Sequence, residues 1–161
     1  LLAKSLKRAA IMAVDENDNN PLSVSLRRSV NPDDMLSFKR PGIQEGVFKN
    51  LRLGKYALEG RIEIQRLRIE DARKVLYAEL QKHHARGVRA ILIKHGRGEH
   101  SKPIPALCKS YLNQWLQELP EVIAFHSAQK QHGSLAATYV LLKKHPDQKQ
   151  INRERLFQRG V

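Results

Sequence analysis

A strand pattern, a helix pattern and a second strand pattern follow one another between residues 62 and 93, and that order leaves few folds open. Ile62, Glu63, Ile64 and Gln65 alternate as a strand with one apolar face does, and residues 66–68 read as a turn. Ile69, Ala72, Val75, Leu76 and Leu80 then recur at three and four, with Glu70 and Asp71 in the first turn and Gly87 as a stop. Residues 88–93 are the short, β-branched run of a buried strand. The crossover that fits a twisted sheet makes two such strands parallel. Ligands of these sheets bind beyond the carboxyl ends of the strands.

The pattern continues to residue 143. Pro105 can open a second helix that carries Leu107, Cys108, Tyr111, Leu112, Trp115, Leu116 and Leu119 on one side, and Pro120 closes it. Residues 122–125 form a third strand, residues 129–134 a polar turn, and residues 138–143 a fourth strand. The order β-α-β-α-β-β predicts an α/β fold, more narrowly an α+β two-layer sandwich in which a mixed four-stranded sheet packs with two helices. Tyr111 and Trp115 read as core. The single cysteine, Cys108, reads as a small core residue, and one cysteine permits no disulfide within the chain.

Residues 15–42 are rich in Asp, Asn, Ser and Pro and are expected to form an extended arm that buries little. Ile43, Val47, Phe48 and Leu51 are spaced for a short docking helix over about residues 43–53, with Gly54 suited to end it. The expected organisation is an N-terminal extension over 1–56, a domain over 57–144 and a basic tail over 145–161. No apolar run approaches the length of about 18 residues that spans a bilayer, and residues 1–14 are helix-like rather than a clean signal peptide. A cytoplasmic protein without membrane contact is expected.

Directly after the run 88–93 comes His95-Gly96-Arg97-Gly98-Glu99-His100-Ser101-Lys102-Pro103. A strand that empties into a Gly-x-Gly turn before a helix lets backbone amides approach an anion closely, and the helix N-terminus favours negative charge. The same turn can use glycine only for its permissive backbone. Composition points to the anion reading: 29 Lys and Arg against 16 acidic residues give a formal charge of +13, which favours polyanions. Gly96, Arg97, Gly98 and Lys102 of the loop, Arg66 and Arg68 of the preceding turn, and Lys130 and His132 of the late turn are the expected phosphate contacts. DNA, RNA or both are therefore the expected partners.

The stretch from Arg40 to Lys143 resembles a small MutS-related (Smr) domain, of the stand-alone bacterial type associated with DNA endonuclease activity. The likeness runs through Arg40-Pro41-Gly42-Ile43, Leu51-Arg52-Leu53-Gly54, the loop His95-Gly96-Arg97-Gly98 with Ser101, Trp115-Leu116, Val122-Ile123-Ala124-Phe125 and Tyr139-Val140-Leu141-Leu142. It implies nucleic-acid binding, with Ser101 in the binding loop, and association with a ribosome or a repair complex. It also implies nuclease chemistry from the end of the first strand, where the family reads Leu-Asp-Leu-His and this chain reads Ile62-Glu63-Ile64-Gln65. Glu63 keeps a carboxylate, whereas Gln65 cannot accept and return a proton as histidine does. The late glycine-rich turn is altered too, keeping Gly133 alone in Gly133-Ser134-Leu135-Ala136-Ala137.

Phosphodiester cleavage needs an activated nucleophile, charge stabilisation and a proton donor to the leaving oxygen. His95 or His100 can act as acid or base, since histidine titrates near neutrality, and Glu63 can orient one of them or act as base itself. His95 can equally serve only to shape the loop. No cofactor is expected; a divalent ion would find only Glu63 and Glu99 near the crevice, and no histidines have the spacing of a zinc site. Three functions remain open: a nuclease of low sequence specificity, a non-catalytic module that binds nucleic acid or a ribosome, and a regulatory domain for a small anion. The last is the weakest, because one small anion does not need 29 basic residues.

Overall fold

The computed structural model describes residues 19–146, so the N-terminal apolar stretch and nearly all of the basic tail lie outside the described residues. Five strands, β1 Ser37–Lys39, β2 Gly60–Glu63, β3 Ala90–Lys94, β4 Val122–Ser127 and β5 Ala137–Leu142, form one sheet in the order β1-β4-β5-β3-β2. Three helices accompany them: α1 Glu45–Arg52, α2 Ile69–Ala85 and α3 Leu107–Glu118.

β2 and β3 are parallel, as the β-α-β reading requires, with Gly60 opposite Ile91 and Glu63 opposite Lys94. β5 is antiparallel to both β3 and β4, so β2, β3 and β4 all run the same way and end at one edge of the sheet. Every residue of β5 is buried, as are the first four of β3. That is why these two strands read as continuous apolar runs, whereas β2 alternates.

One face of the sheet carries α2 and α3. Leu76 and Leu80 of α2 and Leu112, Trp115 and Leu116 of α3 close over Ile62, Ile64, Ile91, Ile93, Val140 and Leu142. The opposite face carries α1, whose Val47, Phe48 and Leu51 pack on Leu92, Ala124, Tyr139 and Leu141. The expected two layers are thus three over β4 and β5. Without α1, the second apolar face of these strands would be open to water.

The sheet also has one strand more than the four expected. β1 pairs antiparallel with β4, Ser37 opposite His126 and Lys39 opposite Ala124. A three-residue strand has too little alternation to be recognised, and its cause is tertiary: it covers the edge that β4 would otherwise present unpaired.

The arm departs most from expectation. Its composition argues for little burial, yet Leu22 and Leu36 are 2% and 3% exposed and join the core. Its backbone is held by side chains of the two helices. Arg73 donates to the Leu22 carbonyl at 2.7 Å and the Trp115 indole to that of Ser23 at 2.9 Å. Gln114 accepts from the Arg27 amide and donates to the Ser25 carbonyl, while the Ser110 hydroxyl accepts from Val30. The buried Lys109 ammonium donates to the carbonyls of Pro32 and Asp34. A segment with few apolar side chains packs here because its polar backbone is satisfied along its length.

Candidate phosphate-binding site

The carboxyl ends of β2 and β3 open into a hollow of about 620 Å³. The turn after β2 and the loop after β3 form its walls, and Leu107 and Cys108 from the first turn of α3 complete the lining. The strand ends are fixed together, because the amides of Ile64 and Gln65 both donate to the Lys94 carbonyl, at 2.9 and 3.2 Å. Arg66 then turns the chain at φ 65°, a conformation few side chains adopt.

Gly98 is required by both backbone and space. Its φ is +72°, and a Cβ there would stand 2.8 Å from the Ser101 hydroxyl oxygen and 2.9 Å from the Ala106 Cα. Its carbonyl accepts the Ala106 amide at 2.7 Å and the Ser101 amide at 3.2 Å, which draws the loop against the start of α3. The Gly96 amide is committed differently. It donates to the Ala136 carbonyl at 2.9 Å, beside the His95 amide at 3.1 Å, so it ties the loop to the late turn instead of facing a ligand. Close backbone approach at that turn survives the loss of the family's later glycines.

His95 is 3% exposed. Its Nδ1 lies 2.7 Å from the Gly96 carbonyl, which can only accept, so that nitrogen carries the proton and Nε2 accepts from the Thr138 hydroxyl at 2.8 Å. Burial pushes the imidazole pKa down to about 4, opposed by the bond to Gly96 and assisted by the Lys109 ammonium. A neutral ring with both nitrogens engaged favours the loop-shaping role over the acid–base role. Cys108 is unsuited to nucleophilic work: its thiol faces the Ile64 carbonyl at 3.8 Å, and burial pushes its pKa up to about 12.

Of the residues expected from sequence, Arg66, Arg68, His95, Gly96, Gly98, His100, Ser101 and Lys102 all line the hollow. Glu63, Arg97, Lys130 and His132 do not. Glu63 alternates with the buried Ile62 and so sits on the α1 side of the sheet, but the Gln65 amide donates to its Oε1 at 2.9 Å and links it to the rim. Arg97 turns to the arm, where it pairs with Asp33, and to Glu99 at 2.7 Å. Lys130 and His132 occupy a short 3-10 turn after β4, which runs with β3 as the crevice required. That turn is nevertheless drawn to the α1 side: His132 Nδ1 meets the Tyr139 hydroxyl at 2.5 Å and Gln129 donates to the Arg52 carbonyl at 2.7 Å.

Two features escape a reading by residue type. Gln65 lines the hollow itself, and Leu67, Ile69 and Leu107 give it apolar wall. Neither glutamine nor leucine signals a site; only their position at the strand end does. Among the described residues no three His, Cys, Asp or Glu side chains are grouped to hold a metal ion, and no helix is long and apolar enough to cross a membrane.

Residues 62–143 match the profile of the Smr domain. Over 125 residues the chain is 38% identical to "Probable DNA endonuclease SmrA" of Escherichia coli strain K12, an alignment that covers 78% of this chain and 67% of that one. It is 31% identical over 114 residues to "Ribosome rescue factor SmrB" of Escherichia coli O157:H7, covering 71% of this chain and 59% of the relative. The fold superposes on the crystal structure of YdaL, a stand-alone small MutS-related protein from Escherichia coli, with a TM-score of 0.69 and 34% identity, across 78% of this chain and 96% of YdaL. With the strand-end and glycine-loop geometry in the place where that profile begins and runs, the chain belongs to the small MutS-related (Smr) domain family.

Proposed function

We propose that the chain binds nucleic acid at the hollow between the ends of β2 and β3 and cleaves phosphodiester bonds there with little sequence preference. The observation that carries this reading is the lining itself: Arg66, Arg68, His100 and Lys102 converge on a cavity whose lining includes the glycine loop and the first turn of α3. Positive side chains, loop backbone and a helix N-terminus are what a phosphodiester in its transition state asks for. The names of two relatives, an endonuclease and a ribosome rescue factor, point to the same substrate class. Sequence preference is low because the site offers contacts to phosphate and no base-reading helix.

Within this reading Glu63, outside the hollow but tied to its rim by Gln65, takes the proton of a nucleophile that attacks from that rim, and His100 delivers one to the leaving oxygen. Gln65 holds Oε1 of Glu63 and leaves Oε2 to act. Arg66 and Lys102 offset the charge that develops on phosphorus-bound oxygen. His95 is a positioning residue. Gln65 also favours a second reading, a binding module without catalysis, since it stands where the family carries histidine and cannot exchange a proton.

The deciding experiment incubates the purified chain with supercoiled plasmid and with folded RNA, with and without chelator. Glu63→Gln and His100→Ala should each slow cleavage by roughly 10²-fold or more while affinity changes little. Gln65→His should raise the rate. Wild type that binds but cleaves no faster than a mock preparation, beside an active Gln65→His variant, would establish the binding module instead.

A further inference from the structure

A second cavity, of about 470 Å³, lies beside the first, bounded by the arm, the start of α2 and the first half of α3. The two share Ile69 and Leu107 as a common wall. Val24, Pro103, Tyr111 and Trp115 give it apolar and aromatic lining, beside the polar Ser23, Glu70, Arg73 and Lys74. Val24 is 77% exposed, the highest value among the large apolar residues described, and it is fixed there. The neighbouring Ser23 is held by Trp115 and Glu118, and the Tyr111 hydroxyl donates to the Val24 carbonyl at 3.4 Å. Tyr111 in turn lies against Trp115, with ring centroids 5.1 Å apart, so its ring is backed on one side by the core. An apolar side chain pinned next to a backed aromatic ring leaves a slot that none of the described residues fills.

We propose that this slot seats one unpaired nucleobase of the strand whose phosphate lies in the adjoining hollow. The inference rests on the phosphate-binding reading and extends it from charge to substrate class, namely single-stranded or locally unpaired nucleic acid. A base is flat and apolar on its faces and is tied to its phosphate by one sugar, which suits two cavities divided by a single pair of side chains. Stacking of this kind is tolerant of sequence, because every base has a π-face. A peptide is a poorer occupant, since the slot opens beside Arg66, Arg68 and Lys102 on a chain of charge +13. Base-paired duplex is excluded from the slot, as its bases are already stacked and its outer surface is phosphate.

The test measures binding of the full chain to two short labelled oligonucleotides of equal length and charge, one with bases and one made abasic throughout. Wild type should bind the base-bearing strand about tenfold more tightly or better, the scale of one stacked base. Tyr111→Ala should bring that ratio near one and Tyr111→Phe should keep it. Val24→Ser, at an exposed position that cannot unfold the chain, should lower the ratio about threefold, which keeps the proposal testable if the Tyr111→Ala variant does not fold. Lys102→Ala should weaken both strands alike and leave the ratio unchanged. Equal wild-type affinity for the two strands would overturn the base slot while leaving the phosphate site standing. Failure to bind either strand would overturn both.

Discussion

At the scale of the residue, His95 carries the clearest consequence. Its imidazole is neutral in the folded state, with a pKa near 4 against about 6.5 in the unfolded chain. Protonation therefore favours unfolding: the contribution is complete above about pH 6.5 and is lost as pH falls toward 4. Wild type should lose about 3 kcal/mol more stability than His95→Gln between pH 7 and pH 4, read from urea unfolding at each pH. Equal losses would mean that the ring is not held neutral. Gly98→Ala should cost about 2 kcal/mol, because the new Cβ meets Ala106 backbone and the residue must keep a positive φ. The same change should weaken nucleic-acid binding by lifting the loop off α3, which anisotropy would report. Residue types revealed the loop and its turn, since glycine, histidine and arginine announce anion chemistry. They did not reveal which groups are already spent. Arg97 is balanced by its near neighbour Glu99 and by Asp33, and the Gly96 amide by Ala136; the contacts to Asp33 and Ala136 join segments far apart in the chain.

At the scale of the element, α2 and α3 were readable because periodicity in three and four is a local property, and β2 and β3 because their side chains alternate or run on. The arm was not, since its order comes from its partners. Ser110, Gln114 and Glu118 recur along α3 at four-residue intervals and, with Lys109 beside them, meet arm backbone, so a row that reads as a solvated helix face is an interface. Trp115→Phe should cost about 1–2 kcal/mol, because it leaves the Ser23 carbonyl unpartnered beside a buried ring. In a chain lacking residues 1–36 the same substitution should cost less, and thermal unfolding of the four forms would give the coupling. Equal cost in both backgrounds would show that the arm does not depend on the indole.

At the scale of the whole molecule, charge of +13 makes binding a matter of counterion release, with logarithmic affinity falling as salt rises. Lys102→Ala should flatten that slope by about 0.9 on duplex or about 0.7 on single strands, the loss of one phosphate contact. Arg97→Ala should change it less, and Asp33→Asn should steepen it by releasing the Arg97 guanidinium from its carboxylate. Titrations across a range of salt concentrations would separate the three. The sheet order adds a constraint of a different sort, one of time. β5 is the last of the described strands yet lies between β3 and β4, so the two halves of the sheet have no direct ladder to each other. During synthesis, a nascent chain that has not yet emerged through residue 142 holds two separate pairs of strands, each with an open flank on its most apolar member. The final strand closes both flanks at once, which makes completion of this domain a single late event and leaves fragments that stop before it prone to pair with one another.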